Sequence, residues 1–103
     1  MIQVSAFYAN GDGKHFDIDY YCNKHMAMVR DKLGAACKGI TVIHGLAGVA
    51  PGSAPAFLAV SNVLFDSVES FQAAFGPHAG AILSDTPNFT NIEPVLQISA
   101  VRI

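Results

Sequence analysis

Few side chains in this sequence can move a proton near neutral pH: four histidines, His15, His25, His44 and His78, and beside them three tyrosines, Tyr8, Tyr20 and Tyr21. Imidazole titrates close to neutrality, which suits it to acid, base or hydrogen-bonding work. His25 stands out by its spacing. Ile18, Tyr21, Cys22, His25, Val29 and Leu33 follow the i, i+3, i+4, i+7 series of a buried helix stripe. At about 100° per residue His25 falls within roughly 40° of Ile18, Cys22 and Val29, in the middle of that stripe. Two readings are open. It is a core histidine bonded to a backbone carbonyl or a nearby hydroxyl, or a pocket histidine acting as acid, base or anchor. Either way it needs a partner, because an unpaired buried polar group costs on the order of a few kcal/mol.

The other candidates carry weaker signals. His78 follows Gly76-Pro77 at the start of a helical turn, and His44 ends a strand. His15, beside Lys14, reads as an exposed loop residue. Seven aromatics, Phe7, Tyr8, Phe57, Phe65, Phe71, Phe75 and Phe89, are many for the length and suit a pocket between helices and sheet. The expected catalytic set is His25, His78 and Tyr8; the expected ligand contacts are Tyr21, His44 and Phe75.

Other chemistries lack their patterns. The histidines are not spaced as H-x-x-x-H, and no carboxylate falls in register with them for a metal. No serine sits in a nucleophile elbow, and no glycine-rich phosphate loop follows a strand. No cofactor is expected. Cys22 and Cys37 are too few for a disulfide framework and read as free thiols packed as small hydrophobes.

These side chains must be positioned by a small set of elements. Ile2 to Ala9 alternates as a strand, with Ile2, Val4, Ala6 and Tyr8 on one face and Gln3, Ser5 and Phe7 on the other. Asn10-Gly11-Asp12-Gly13 breaks it. Asp17 is placed as the N-cap of a helix running to about Leu33, where Gly34 offers the stop. Lys24, Arg30 and Asp31 fall on its solvated side.

Lys38 to Leu46 is a second strand, with Ile40, Val42 and His44 on one side; 47–55 is a Gly-, Ala- and Pro-rich loop. Ala56 to Phe65 is a third strand with a near-continuous apolar run. Asp66 with Glu69 forms a capping-box pattern for a second helix lined by Val68, Phe71 and Phe75. Pro77 ends or kinks that helix and restarts a short turn. Asp85 to Asn91 is a loop, and Ile92 to Ile103 the last strand.

The order is strand, helix, strand, strand, helix, strand, which predicts an α+β, ferredoxin-like βαββαβ sandwich with an antiparallel sheet, one domain spanning 1–103. Both helices then cover one face. The other face is assigned Gln3, Ser5, Phe7, Ser61, Gln97 and Ser99 with Ala59 and Val63, a set almost without charge. A solvated face would carry Lys and Glu.

Composition agrees with a covered face. Hydrophobic residues make up 51% and charged residues 14%, where about 25% charged is ordinary. A homodimer through the sheet face is therefore expected. A net charge of −2 with six Lys and Arg in all argues against a nucleic-acid partner. No apolar run reaches the roughly 20 residues of a membrane span. Met1 leads straight into a strand pattern with no signal segment, so a cytoplasmic location is expected.

The run Phe16-Asp17-Ile18-Asp19-Tyr20-Tyr21-Cys22-Asn23-Lys24-His25 resembles the helix signature of the EthD family. Phe71-Gln72-Ala73-Ala74-Phe75-Gly76-Pro77-His78 and Asn88-Phe89-Thr90-Asn91-Ile92-Glu93-Pro94 resemble its later segments, in the same order. The resemblance implies a dimeric α/β barrel. It also implies an association with bacterial degradation of ethyl tert-butyl ether, where the protein accompanies a cytochrome-type haem monooxygenase system. By it the family's helix histidine maps to His25 and its Gly-Pro-His position to His78. Ala27 stands where the family often has proline, and Phe89 where tyrosine is common. Two functions are expected. One is an accessory protein of a degradation or oxidation pathway, holding a small apolar compound. The other is a cofactor-independent monooxygenase, isomerase or polyketide cyclase, with His25 as acid and base.

Overall fold

A computed structural model describes residues 1–103. Strand β1 (Ile2–Ala9) leads into a long helix, α1 (residues 18–33), whose first turn is capped as expected: the Asp17 carboxylate accepts from Tyr20 N. Gly34 ends it with φ of 59°, a conformation that costs glycine nothing. Strands β2 (Gly39–His44) and β3 (Phe57–Phe65) come next, then α2 (Val68–Phe75), α3 (Ala79–Ser84) and β4 (Val95–Ala100). A tight turn over Gly76–His78 separates α2 from α3, the break that Pro77 imposes by lacking an amide donor.

The sheet order is β2-β3-β1-β4 and every neighbouring pair is antiparallel. Because β3 lies between β1 and β2, and β1 between β3 and β4, each helical crossover returns to a parallel strand two places away. This is the α+β, ferredoxin-like arrangement. The helices pack on one sheet face, and the core between them contains Tyr8, Tyr21, Val29, Leu33, Val63, Phe65 and Ile82.

Four details differ from the sequence reading. The phase of β3 is inverted: Ala6 pairs with Ser61 and Val4 with Val63, so Ala59, Ser61 and Val63 face the helices. An apolar run with no alternation carries no phase of its own; the register with β1 sets it. The cap of α2 is Ser67, whose hydroxyl accepts from Ser70 N, while Asp66 lies one residue outside. The last strand runs only over Val95–Ala100; it starts after Pro94, which has no amide to add to a ladder.

The fourth difference lies inside α1. Residues Tyr21–His25 form a π-turn, closed by the Met26 amide donating to the Tyr21 carbonyl. The extra residue in the turn rotates the remainder of the helix about its axis. Cys22 is consequently exposed and Met26 buried, so Cys22 is not a core thiol. Cys37 is half-buried against the core.

The face away from the helices is open. It carries Phe7, Ile43, Val60, Leu64 and Val95 with Gln3, Ser5, Thr41, Asn62, Gln97 and Ser99, and no charged residue. Ile43 is 58% exposed and Val95 63%. A polar band crosses it: Gln3 Nε2 and Ser5 Oγ donate to Asn62 Oδ1 at 3.0 and 2.7 Å, and Asn62 Nδ2 donates to Thr41 Oγ1 at 3.3 Å.

Candidate functional site

Helix α1 and strand β3 bring the site together. Tyr21 and His25, four residues apart across the π-turn, stack with ring centroids 5.1 Å apart and planes 15° apart. The Tyr21 hydroxyl donates to Ser61 Oγ at 2.8 Å. That bond ties the helix to the centre of the sheet, and it needs the observed phase of β3. Phe89 closes the cluster, its ring 4.7 Å from that of His25 and 4.8 Å from that of Tyr21.

The partner of His25 is a carboxylate. His25 Nδ1 lies 2.9 Å from Asp85 Oδ2, with side chains 6% and 17% exposed. Asp85 Oδ1 accepts from the Tyr20 hydroxyl at 2.8 Å and from Asn88 Nδ2 at 2.7 Å. Burial alone would raise the Asp85 carboxyl; the hydrogen bonds from Asn88, His25 and Tyr20, with the imidazole nearby, outweigh it and hold the pKa below the ordinary carboxylate range. Asp85 is thus an ionised acceptor, and a proton on His25 Nδ1 faces it.

The loop that supplies Asp85 is pinned against the entry to α1. Asp17 N donates to the Phe89 carbonyl at 2.7 Å, Thr90 Oγ1 to the His15 carbonyl at 2.6 Å, and Asn91 Nδ2 to the Gly13 carbonyl at 2.9 Å. These bonds explain why a segment without helix or strand pattern holds a fixed place.

Beside this cluster lies a cavity of about 90 Å³ between helices and sheet, lined by 18 residues of which 14 are hydrophobic. His25, Tyr8, Tyr21, Ser61 and Thr86 are its polar points; Val29, Leu33, Val63, Phe65, Phe71 and Phe75 form much of the remainder. His25 Nε2 has no protein partner, and no enclosed side-chain polar atom of the chain is left unpaired. Nε2 therefore reaches open space, on the side of the imidazole turned from Asp85.

Both inner phenols resist ionisation. Burial pushes Tyr8 well above its ordinary value, with the neighbouring Tyr21 adding to the effect. Burial also raises Tyr21, against the opposing hydrogen bonds of Ser61 and Tyr8. Tyr8, hydrogen-bonded to Tyr21, does not serve as a phenolate base.

Of the residues singled out in the sequence, His25, Tyr8, Tyr21 and Phe75 come together around the cavity. His78 is half-buried beside α3 and His44 is exposed at the end of β2; neither lines it. Asp85, Ser61, Thr86 and Asn88 join the site without a signal in the sequence pattern. The sequence reading assigns Ser61 to the opposite face, and Asp85 lies 60 residues from His25 with no local pattern to mark it. No helix is long and apolar enough to cross a membrane.

The strand order and the one-sided helices define a ferredoxin-like α+β protein with a pocket under its helices. The EthD domain profile matches residues 14–93, and the chain belongs to that family. It is 48% identical to an EthD-like protein of Ralstonia eutropha JMP134, over 99% of this chain and 92% of that one, with a TM-score of 0.94. An ethyl tert-butyl ether (EthD) family protein of Bacillus halodurans C-125 shares the fold at 19% identity and a TM-score of 0.68, covering 99% of both chains. HapK from Hahella chejuensis shares it more loosely, at 14% identity and a TM-score of 0.54, over 94% of this chain and 90% of that one. No curated protein matches the chain.

Proposed function

We propose that the protein binds a small, mainly apolar molecule in the cavity between its helices and sheet, anchored at His25, as an accessory of a degradation or oxidation pathway. The supporting observation is the free His25 Nε2 at a predominantly hydrophobic cavity. A site of this kind takes its affinity from apolar contact and its orientation from one or two polar groups. Thermal unfolding against a panel of compact apolar compounds tests the reading, since a ligand of the native state raises the midpoint with concentration. A midpoint unmoved by every compound at millimolar concentration would sink it.

One observation favours a second reading, acid–base catalysis without a cofactor. With Nδ1 committed to Asp85, the imidazole is fixed in orientation and tautomer, and Nε2 is free to take a proton from a bound molecule. Turnover that disappears in His25→Gln while binding persists is the expected signature.

The same reading includes a homodimer. The open sheet face has no charged residue and carries exposed Ile43 and Val95, which supports burial against a second copy.

A further inference from the structure

We infer that the molecule held in the cavity presents a hydroxyl to His25 on a compact apolar body, phenol being the simplest example, and that the ether of the same shape is rejected. This names the ligand class of the site proposed above and rests on that reading.

Hydrogen-bond complementarity carries the inference. Asp85 takes the Nδ1 proton, so in the neutral imidazole Nε2 offers only a lone pair to the cavity. Ser61 and Tyr21 are bonded to each other. The Tyr8 phenol is engaged with Tyr21 as well, and the Thr86 hydroxyl remains as a donor lining the cavity. A ligand group there must donate to Nε2 and accept from a hydroxyl. An O–H does both. An ether or carbonyl oxygen only accepts, and would leave the Nε2 lone pair dry and unpaired.

Charge and shape narrow the class further. No Lys, Arg, Asp or Glu lines the cavity, so a formally charged group would find no opposite charge. The polar points also lie at one end. From His25, α1 rises about 12 Å to Leu33, while β3 runs about 13 Å from Ser61 to Phe65; Phe71 lies against Phe65 at 5.2 Å between centroids. Beyond the imidazole the walls are hydrocarbon. The volume of about 90 Å³, against roughly 10–15 Å³ for a water-sized sphere, suits a single ring.

Calorimetric titration of the full chain with phenol, anisole and toluene decides the matter. Phenol is expected to bind about tenfold or more tightly than anisole or toluene, and His25→Leu is expected to lose that preference while still binding toluene. Equal or tighter binding of anisole, with toluene also bound, overturns the hydroxyl class and leaves the apolar cavity standing. Failure of all three to bind removes the cavity reading and this inference with it. The three titrations of the unmodified chain suffice even where His25→Leu does not fold.

Discussion

Tyr21 and His25 lie one above the other within the π-turn of α1, planes 15° apart. Side chains four residues apart on a helix share one face, so the two rings meet. The stack presents the edge of the imidazole, with Nδ1 to Asp85 and Nε2 to the cavity.

Removing the carboxylate leaves Nδ1 without its acceptor. Asp85→Ala is expected to destabilise the fold by about 1–3 kcal/mol at pH 7. The dependence on pH has a definite sign. The Asp85 pKa is lower in the folded state than its ordinary 3.8, so its contribution is complete above that value and is lost as pH falls through the depressed folded value. Urea midpoints of wild type and variant should converge as pH is lowered below about 4; a constant difference down to the acid limit contradicts the assignment.

The Tyr21–Ser61 bond is buried at both ends, with residues 1% and 4% exposed. Tyr21→Phe is expected to cost about 1–3 kcal/mol, because it strands the serine hydroxyl. Adding Ser61→Ala should recover part of that loss, giving a measurable coupling in the double-mutant cycle. Strict additivity in denaturant unfolding would place the two groups out of contact.

All three phenols have raised pKa values: Tyr8 and Tyr21 chiefly through burial, Tyr20 chiefly through its hydrogen bond to Asp85. Alkaline titration followed by tyrosinate absorbance should show little ionisation near pH 10 while the chain is folded. The stability tied to these groups is complete below their ordinary value of 10.0 and declines as pH rises beyond it. A normal tyrosine titration in the folded protein would refute this.

Ser67→Ala is expected to destabilise α2 by about 1 kcal/mol, whereas Asp66→Asn changes little. Chemical denaturation separates the two, and the reverse ranking would restore Asp66 as the cap.

The proposed dimer is tested at the centre of the open sheet face. Sedimentation of the unmodified chain should give twice the 10.9 kDa chain mass, and Val60→Glu should give the monomer, since a buried unpaired carboxylate is costly. A single-chain mass for the unmodified protein at micromolar concentration removes the dimer.

Much of this architecture is legible in the sequence because it rests on local rules. Strand alternation marks β1, the Asp17 cap and Gly34 bound α1, and the helical stripe places His25 inside. The features that escape such rules are non-local. The apolar run of β3 has no intrinsic phase, so only its pairing with β1, Ala6 against Ser61, turns Ser61 to the inner face. The π-turn, which exchanges Cys22 for Met26, leaves no composition signal. Asp85 reads as an ordinary loop acid; only the bonds pinning Phe89, Thr90 and Asn91 bring it to the histidine.

The 60 residues between His25 and Asp85 have a further consequence. The histidine belongs to the first strand–helix–strand half of the chain and the aspartate to the second, and β1 and β3 pair across the two. Neither half owns a site. Closing so long a loop is entropically slow relative to local helix formation, so the His25–Asp85 hydrogen bond forms only with the assembled sheet. A fragment ending after β2 would keep the imidazole and lose both its orientation and the hydroxyl at Ser61 that steadies its neighbour.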